Sequence, residues 1–167
     1  MTFKELCAAR YSCRAYQPEA VPQEKMDYVL ECARLAPSAC NKQPWRLRYV
    51  TDAGQLANLC SCYNRDWLKT APAIIVVSVM TDEAWVRPAD GKNHADIDAS
   101  IIAEHICLAA AEQGLGTCWI CNFDARRCHE LLGLSPSEVP IALLPIGFPA
   151  DTAPAKRRKT LDDILRQ

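Results

Sequence analysis

The sequence has no strong excess of charge of either sign. Its 167 residues include 19 Lys and Arg against 20 Asp and Glu, which gives a formal net charge of -1 at pH 7. Because a whole-protein field of one sign is missing, the composition does not favour nucleic acid or an anionic membrane surface as a partner. No apolar run approaches the roughly 20 residues of a membrane-spanning helix. We therefore expect neither a nucleic-acid partner nor a membrane partner.

The N-terminal residues 1–5 also lack the basic segment followed by an apolar segment that is typical of a secretory signal. A cytoplasmic location is the expectation that follows. Internal repeats, low-complexity tracts and linker-like stretches are missing as well. A chain of this length, 50% of which is hydrophobic, can bury a substantial core. The sequence thus predicts one domain over residues 1–167.

Cysteine, in contrast, is abundant. The cysteines are spread through predicted helices and strands, without a signal segment and without the short, loop-rich chain of a disulfide scaffold. Free thiols that act as small hydrophobic side chains are the favoured interpretation, and a disulfide framework is the alternative. The ten residues are Cys7, Cys13, Cys32, Cys40, Cys60, Cys62, Cys107, Cys118, Cys121 and Cys128.

Hydrophobic periodicity predicts helices and strands in alternation, followed by a polar and basic tail from Phe148. Thr2 with Glu5 has the spacing of a capping box, Pro22 can open a helix, and Asp124 can cap one. Alternation alone is typical of a parallel sheet. Helices are predicted over residues 2–9, 22–36, 55–69, 96–113 and 124–133, strands over 45–51, 73–80, 116–121 and 139–146, and an exposed loop over 81–95.

The long predicted helix over residues 96–113 has apolar residues on nearly all of its sides, including Ile97, Ile101, Ile102 and Ile106. A helix with one wet face would instead show a single apolar stripe. This helix is therefore expected in a core or under a partner subunit.

Two short cationic segments stand near the two ends of the chain. Arg10, Ser12 and Arg14 lie within five residues, and Lys156 and Arg158 lie in the tail. A phosphate monoester needs several charge-assisted donors, which guanidinium groups supply well. For either segment alone, a solvated surface is the favoured interpretation, because short basic clusters are common.

Residues 37–45 read Pro-Ser-Ala-Cys-Asn-Lys-Gln-Pro-Trp and join a helix to a strand. The two prolines hold the backbone open, and the residues between them carry hydroxyl and amide groups that could meet a polar ligand. Helix termination followed by a strand start would explain the prolines equally well. Gly114–Thr117, with the sequence Gly-Leu-Gly-Thr, likewise fits a helix C-cap before a strand.

Taken together, these segments resemble the nitroreductase family of flavin enzymes. The match comprises the basic-x-Ser-x-basic element at residues 10–14, the Pro-Ser-x-x-Asn-x-Gln-Pro-Trp loop at 37–45, the Gly-Leu-Gly-Thr strand entry at 114–117 and the Lys-x-Arg pair at 156–158. The elements occur in the family's order along essentially the whole chain. The resemblance implies an α+β sandwich whose central sheet is mixed but mostly antiparallel and flanked by helices, in an intertwined homodimer.

The resemblance also implies FMN as the cofactor, bound where the two subunits meet. Residues 10–14 and the tail pair would hold phosphate and ribityl oxygens, while residues 38–43 would reach the flavin from the other subunit. The backbone at residues 121 and 122 would lie at the reactive flavin edge. The cofactor-binding set implied is Arg10, Tyr11, Ser12, Arg14, Pro37, Ser38, Ala39, Asn41, Gln43, Cys121, Asn122, Lys156 and Arg158.

The function implied is hydride transfer from NAD(P)H through flavin N5 to a small oxidised acceptor such as a nitroaromatic or a quinone, with no obligatory catalytic side chain. A flavin-binding or flavin-storage protein without nicotinamide turnover is an alternative. A second alternative comes from Cys118 and Cys121, which have the spacing of a thiol-redox pair or half a zinc site. The pair lies in a predicted strand and a second Cys-x-x-Cys is missing, so metal and dithiol chemistry are disfavoured.

Overall fold

The computed structural model describes residues 1–166, and that part of the chain forms six α-helices and four β-strands. Two short 3₁₀ segments, Ala39–Asn41 and Asp66–Thr70, stand between them. The helices are α1 Phe3–Ala9, α2 Gln23–Arg34, α3 Ala53–Cys60, α4 Ala95–Glu112, α5 Ala125–Leu132 and α6 Leu161–Ile164. The strands are β1 Trp45–Val50, β2 Ala73–Met80, β3 Gly116–Thr117 and β4 Glu138–Gly147.

Local capping signals in the sequence are confirmed. The Thr2 hydroxyl accepts a hydrogen bond from the Glu5 N–H at 3.3 Å, and the Glu5 carboxylate accepts one from the Thr2 N–H at 2.7 Å. Asp124 caps α5 by accepting the Arg127 N–H at 2.9 Å. Gly133 follows α5 with φ of 59°, a left-handed conformation that glycine adopts without steric cost. These helix ends are set by neighbours in sequence.

The four strands form one sheet in the order β1-β2-β4-β3, and every strand pairing in residues 1–166 is antiparallel. The α+β class is therefore confirmed, and the parallel sheet that alternation alone would suggest is not formed. In the described part of the chain, parallel pairing is limited to a single bridge between Ser12 and Thr117. The sheet is thus mixed only at that point.

The central strand β2 is buried on both faces, which explains its continuous apolar sequence. Because successive side chains point to opposite faces, Ile75 and Val77 pack with α2 and α4, whereas Ile74 and Val76 pack with α3 and α5. Ile102 of α4 is fully buried in the first of these two clusters. The sheet lies between two helical layers, as the resemblance implies.

The predicted strand over residues 116–121 is wrong in its extent, because regular pairing ends at Thr117. Thr117 pairs with Ile146 on β4, and a separate antiparallel bridge joins Ile120 to Leu143 in the same register. That register places Pro145 opposite Cys118. Proline has no N–H to donate, so a ladder hydrogen bond is lost there and the strand is interrupted.

The predicted helix over residues 55–69 is also wrong beyond Cys60. The Ser61 hydroxyl donates to the Asn58 carbonyl at 2.6 Å, and the Cys62 carbonyl accepts the Asp124 N–H at 2.8 Å. These bonds replace helical pairing and turn the chain toward α5. A 3₁₀ segment then covers Asp66–Thr70.

Two other regions have more structure than the sequence predicts. The loop over residues 81–95 is only partly exposed, since Ala84 is buried and the Trp85 and His94 rings pack at 4.6 Å between centroids. The tail contains helix α6, whose N-terminus is capped by Thr160. Within residues 1–166, no helix combines the length and apolar character needed to cross a bilayer.

Candidate functional site

The first cationic segment, residues 10–14, runs alongside β3. Ser12 forms its bridge with Thr117, and the Cys13 N–H donates to the Thr117 carbonyl at 2.9 Å. A side chain at Gly116 would not fit here, because its Cβ would lie 2.7 Å from the Cys13 sulfur and 2.8 Å from the Cys13 Cβ. Glycine therefore lets the segment approach the sheet closely and fixes where the side chains of Arg10 and Arg14 begin.

The Asp151 carboxylate ties this segment to the tail. It accepts hydrogen bonds from the Tyr11 hydroxyl at 2.8 Å, the Arg14 N–H at 2.8 Å and the Cys13 thiol at 3.2 Å. Burial, reinforced by the Asp151 hydrogen bond, raises the pKa of Tyr11, so this phenol remains a hydrogen-bond donor. Burial tends to raise the pKa of Asp151, but the bonds from Arg14, Cys13 and Tyr11 hold that pKa below its ordinary value. The carboxylate is thus a stable anchor for both segments.

Three cationic side chains come together beside α1 and α4. The Lys156 ammonium donates to the Cys7 carbonyl at 2.8 Å. Burial first, and then the charges of Arg10 and Arg158, lowers the pKa of Lys156. Glu104 supplies a nearby carboxylate, 4.0 Å from the Arg10 guanidinium. The structure therefore brings the two predicted cationic segments into one cluster with excess positive charge.

The loop over residues 37–45 has an unusual backbone. Cys40, Asn41 and Gln43 adopt positive φ angles of 49°, 54° and 49°, a region that non-glycine residues seldom occupy. The Ser38 hydroxyl accepts the Gln43 N–H at 2.8 Å, and the Gln43 amide donates to the Asn41 side chain at 3.0 Å. Pro37 precedes this segment and is exposed. The predicted loop residues are thus held in one compact, non-repetitive conformation.

Helix α4 contacts both parts of the candidate site. Its Asp98 accepts the Ala39 N–H at 2.8 Å, and its Glu104 lies beside Arg10. Asp98 and Glu104 are six residues apart on α4, which corresponds to about 9 Å along the helix axis. One rigid element therefore fixes the position of the loop relative to the cationic cluster.

Cys118 and Cys121 differ strongly in environment. Cys118 is buried and Cys121 is exposed, and both are free thiols. Burial raises the pKa of Cys118, while Arg14, a Ser12 hydrogen bond and Arg10 act in the opposite direction without reversing the shift. Because the thiolate is the reactive form, a buried Cys118 with a raised pKa is poorly suited to thiol-redox chemistry.

The chain matches the sequence profile of the nitroreductase family over residues 7–59 and 49–148. The chain belongs to the nitroreductase family. A nitroreductase family protein of known structure from Clostridium difficile 630 has 36% sequence identity and a TM-score of 0.94, with 99% of this chain and 98% of that chain covered. An FMN-dependent nitroreductase from Clostridium difficile R20291 has 28% identity and a TM-score of 0.79, covering 95% and 92%.

Relatives of this nitroreductase-family chain carry names that indicate different activities. An NADH dehydrogenase from Thermus thermophilus is 28% identical over 193 aligned positions, gaps included, and the alignment covers 97% of this chain and 94% of the relative. Iodotyrosine deiodinase 1 from Rattus norvegicus is 29% identical over 197 aligned positions, gaps included, and the alignment covers 98% of this chain and 68% of the relative. Family membership therefore indicates an oxidoreductase but leaves the electron acceptor open. The predicted cofactor, FMN, is the one named for the Clostridium difficile R20291 protein.

In this nitroreductase-family fold, neither of two clefts formed by residues 1–166 contains the full set of predicted cofactor-binding residues. A cleft of about 680 Å³ lies between α3 and the second 3₁₀ segment and contains none of the predicted residues. A smaller one, of about 170 Å³, adjoins Arg10, Tyr11 and Thr117. Cys121 and Asn122 follow the Ile120 bridge and are exposed.

Sequence reasoning missed three carboxylates that organise the site. Asp98, Glu104 and Asp151 contact the loop, the Arg10 guanidinium and the residue 10–14 segment respectively. Asp151 lies 140 residues from Tyr11, and no periodicity or motif signals a contact over that distance. Asp98 could have been noticed in the sequence, because a carboxylate within an apolar helix needs a hydrogen-bonding or charged partner.

Proposed function

We propose that the protein is an FMN-dependent oxidoreductase that passes hydride from NAD(P)H to a small oxidised acceptor, such as a nitroaromatic or a quinone. The observation that carries this proposal is the convergence of Arg10, Lys156 and Arg158 from opposite ends of the chain. Membership of the nitroreductase family supports the reaction class. The relative named as an NADH dehydrogenase supports reduced nicotinamide as the donor.

The cationic cluster fits the phosphate of FMN. Several like charges near one another are unfavourable unless an anion compensates them, and among residues 1–166 the carboxylate paired with Arg10 is that of Glu104. A phosphate monoester would offer oxygens to the Arg10 and Arg158 guanidinium groups and to the Lys156 ammonium. Ser12 and Arg14 would add a hydroxyl and a further guanidinium from the same segment, next to Tyr11.

The remaining predicted residues would orient the flavin. Residues 37–43, with Pro37, Ser38, Ala39, Asn41 and Gln43, offer backbone, hydroxyl and amide groups from a loop whose conformation is already fixed. Preorganised polar groups bind without the cost of ordering them first. The backbone of Cys121 and Asn122 would lie at the edge of the flavin ring where negative charge develops.

Bound FMN would supply the two-electron chemistry. The protein's own side chains would bind, orient and partly shield the cofactor, so we assign no catalytic acid or base. The raised pKa of the buried Cys118 argues against a thiolate pathway. The cytoplasmic location and the single domain stay predictions.

We further propose that the working form is a homodimer in which residues 38–43 complete the site of the other subunit. The outer face of α4 supports this, because it exposes an apolar side chain: Ile97 is 39% exposed, whereas nine of the 18 residues of α4 are buried. Ile97 and Ile101 line an open cleft of about 580 Å³ on that face. Sedimentation at decreasing concentration should show a dimer, and a monomer that still holds FMN tightly would contradict the shared site.

The visible spectrum of the purified protein, with identification of the released chromophore, tests the cofactor. FMN is the expected chromophore, and a colourless protein that binds no added FMN would refute the proposal. Rapid mixing with NADH or NADPH tests the donor. Prompt bleaching of the flavin is expected, whereas slow or absent bleaching would favour a flavin-binding or flavin-storage protein without nicotinamide turnover.

A further inference from the structure

Asp98 is a fully buried carboxylate in the first turn of α4. One of its oxygens accepts the Ala39 N–H at 2.8 Å. The other oxygen is buried and has no hydrogen-bond partner among residues 1–166. The residues around it on the buried side of α4, such as Ala99 and Ile102, are apolar.

Packing alone does not explain a carboxylate at this position. A buried carboxylate with unused hydrogen-bonding capacity is destabilising relative to an apolar side chain of similar size. The partial positive charge at the N-terminus of α4 offsets some of that cost. The hydrogen bond that Asp98 accepts from the Ala39 N–H is therefore the contact that can explain a carboxylate at this position.

Ala39 directly precedes Cys40, the first of three nearby residues with positive φ; the other two are Asn41 and Gln43. Non-glycine residues persist in this region only when their surroundings hold them there. The Ser38–Gln43 hydrogen bond lies within the segment and cannot fix it to the rest of the fold. After the segment, the Met80 N–H donates to the Pro44 carbonyl at 2.7 Å and fixes its C-terminal end to β2. The hydrogen bond from Ala39 to Asp98 fixes its N-terminal end to α4.

We infer that Asp98 is a positioning residue for cofactor binding: its carboxylate holds the Ala39 backbone and thereby keeps residues 38–43 in the conformation that receives FMN. This inference rests on the proposed function, because residues 38–43 are cofactor-binding only within that proposal. Asp98 itself does not touch the cofactor, since its side chain is fully buried behind the loop.

Substitution of Asp98 separates positioning from general stability. Asp98→Ala removes the acceptor and should weaken FMN affinity of the dimer by about tenfold or more, the usual effect of losing a hydrogen bond to a charged group. Asp98→Asn keeps one oxygen that can accept the Ala39 N–H and should stay within about threefold of the wild type. FMN titration followed by fluorescence gives these affinities without measuring turnover.

Glu138→Ala is the matched control. Glu138 is another buried carboxylate, but it pairs with Arg48 and Ser78 on the far side of β2 from α4. It should lower Tm, because Arg48 and Ser78 lose their partner, while leaving FMN affinity unchanged. If Asp98→Ala binds FMN like the wild type, whatever its Tm, or if Asp98→Asn binds FMN as weakly as Asp98→Ala, the positioning role is refuted.

Amide hydrogen exchange on the unmodified protein without FMN tests the same bond should Asp98→Ala fail to fold. The Ala39 amide is expected to exchange much more slowly than the amide of the exposed Cys40. Equal exchange at these two positions would overturn the inference. A wild-type protein that binds no FMN would instead refute the proposed function, while the exchange result would still report whether Asp98 fixes the loop.

Discussion

Replacement of Gly116 by alanine probes how tightly residues 10–14 must approach the sheet. The added methyl group would lie 2.7 Å from the Cys13 sulfur, 2.8 Å from the Cys13 Cβ and 3.4 Å from Pro149. Cys13 cannot simply rotate away, because one of the two close atoms is its Cβ. The residue 10–14 segment must therefore move outward, and its cationic side chains must move with it.

Overpacking of this kind costs about 1–3 kcal/mol. For a domain of this size each kcal/mol corresponds to a fall in Tm of about 2–4 °C, so a decrease of roughly 2–12 °C is expected. The same displacement should weaken FMN binding by about tenfold, since charge-assisted hydrogen bonds are sensitive to distance. Thermal unfolding and FMN titration measure the two effects separately.

Gly147→Ala is a suitable control, because its Cβ would meet Pro72 at 2.7 Å instead of Cys13. It should lower Tm by a similar amount with a smaller effect on FMN affinity. Removing the obstructing side chain with Cys13→Gly should reduce the cost of Gly116→Ala in a double-mutant cycle. Unchanged Tm and unchanged FMN affinity in Gly116→Ala would refute the close approach on which this reasoning depends.

Three further predictions concern charge and thiol chemistry. Arg10→Ala should weaken FMN affinity about ten- to a hundredfold in a titration, whereas Arg126→Ala, at a highly exposed arginine of α5, should not; equal effects would remove Arg10 from the site. Cys118→Ala should retain flavin and most NAD(P)H turnover in steady-state assays, and a loss of several orders of magnitude would restore the thiol-redox alternative. The Arg48 hydrogen bond holds the pKa of Glu138 below its ordinary value of 4.5, so this pair stabilises the fold above that pH, and the stabilisation is lost as pH falls through the lowered pKa. Glu138→Gln should therefore show a shallower loss of Tm between about pH 5 and pH 3, and an unchanged acid dependence would contradict the assignment.

Features set by near neighbours in sequence could be predicted. Thr2 with Glu5 and Asp124 with Arg127 are contacts across three residues, so their spacing is visible in the chain. The buried strand Ala73–Met80 was equally clear from its continuous apolar run. Strand direction came from the family resemblance, because periodicity shows which face a residue takes and not which way its strand runs.

Features that depend on a distant partner could not be predicted. The interruption of β3 depends on Pro145 in another strand, which the residues around Cys118 do not reveal. Asn41 and Gln43 adopt positive φ angles although neither is a glycine, so the residue types do not reveal this conformation. The Asp151 anchor requires a contact with Tyr11 that only the folded chain brings about.

The order in which the chain is synthesised gives the cationic cluster a further property. The Lys156–Cys7 and Asp151–Tyr11 hydrogen bonds span 149 and 140 residues. At about 5–20 residues per second, translation separates the two partners of the longer contact by roughly 7–30 s. Throughout that interval the nascent chain contains Arg10 and Arg14 but not yet Lys156 and Arg158. In the proposed site, cofactor loading would therefore be a late event in biogenesis, because a chain that stalls before Asp151 carries most of the core yet lacks the tail residues assigned to the FMN phosphate.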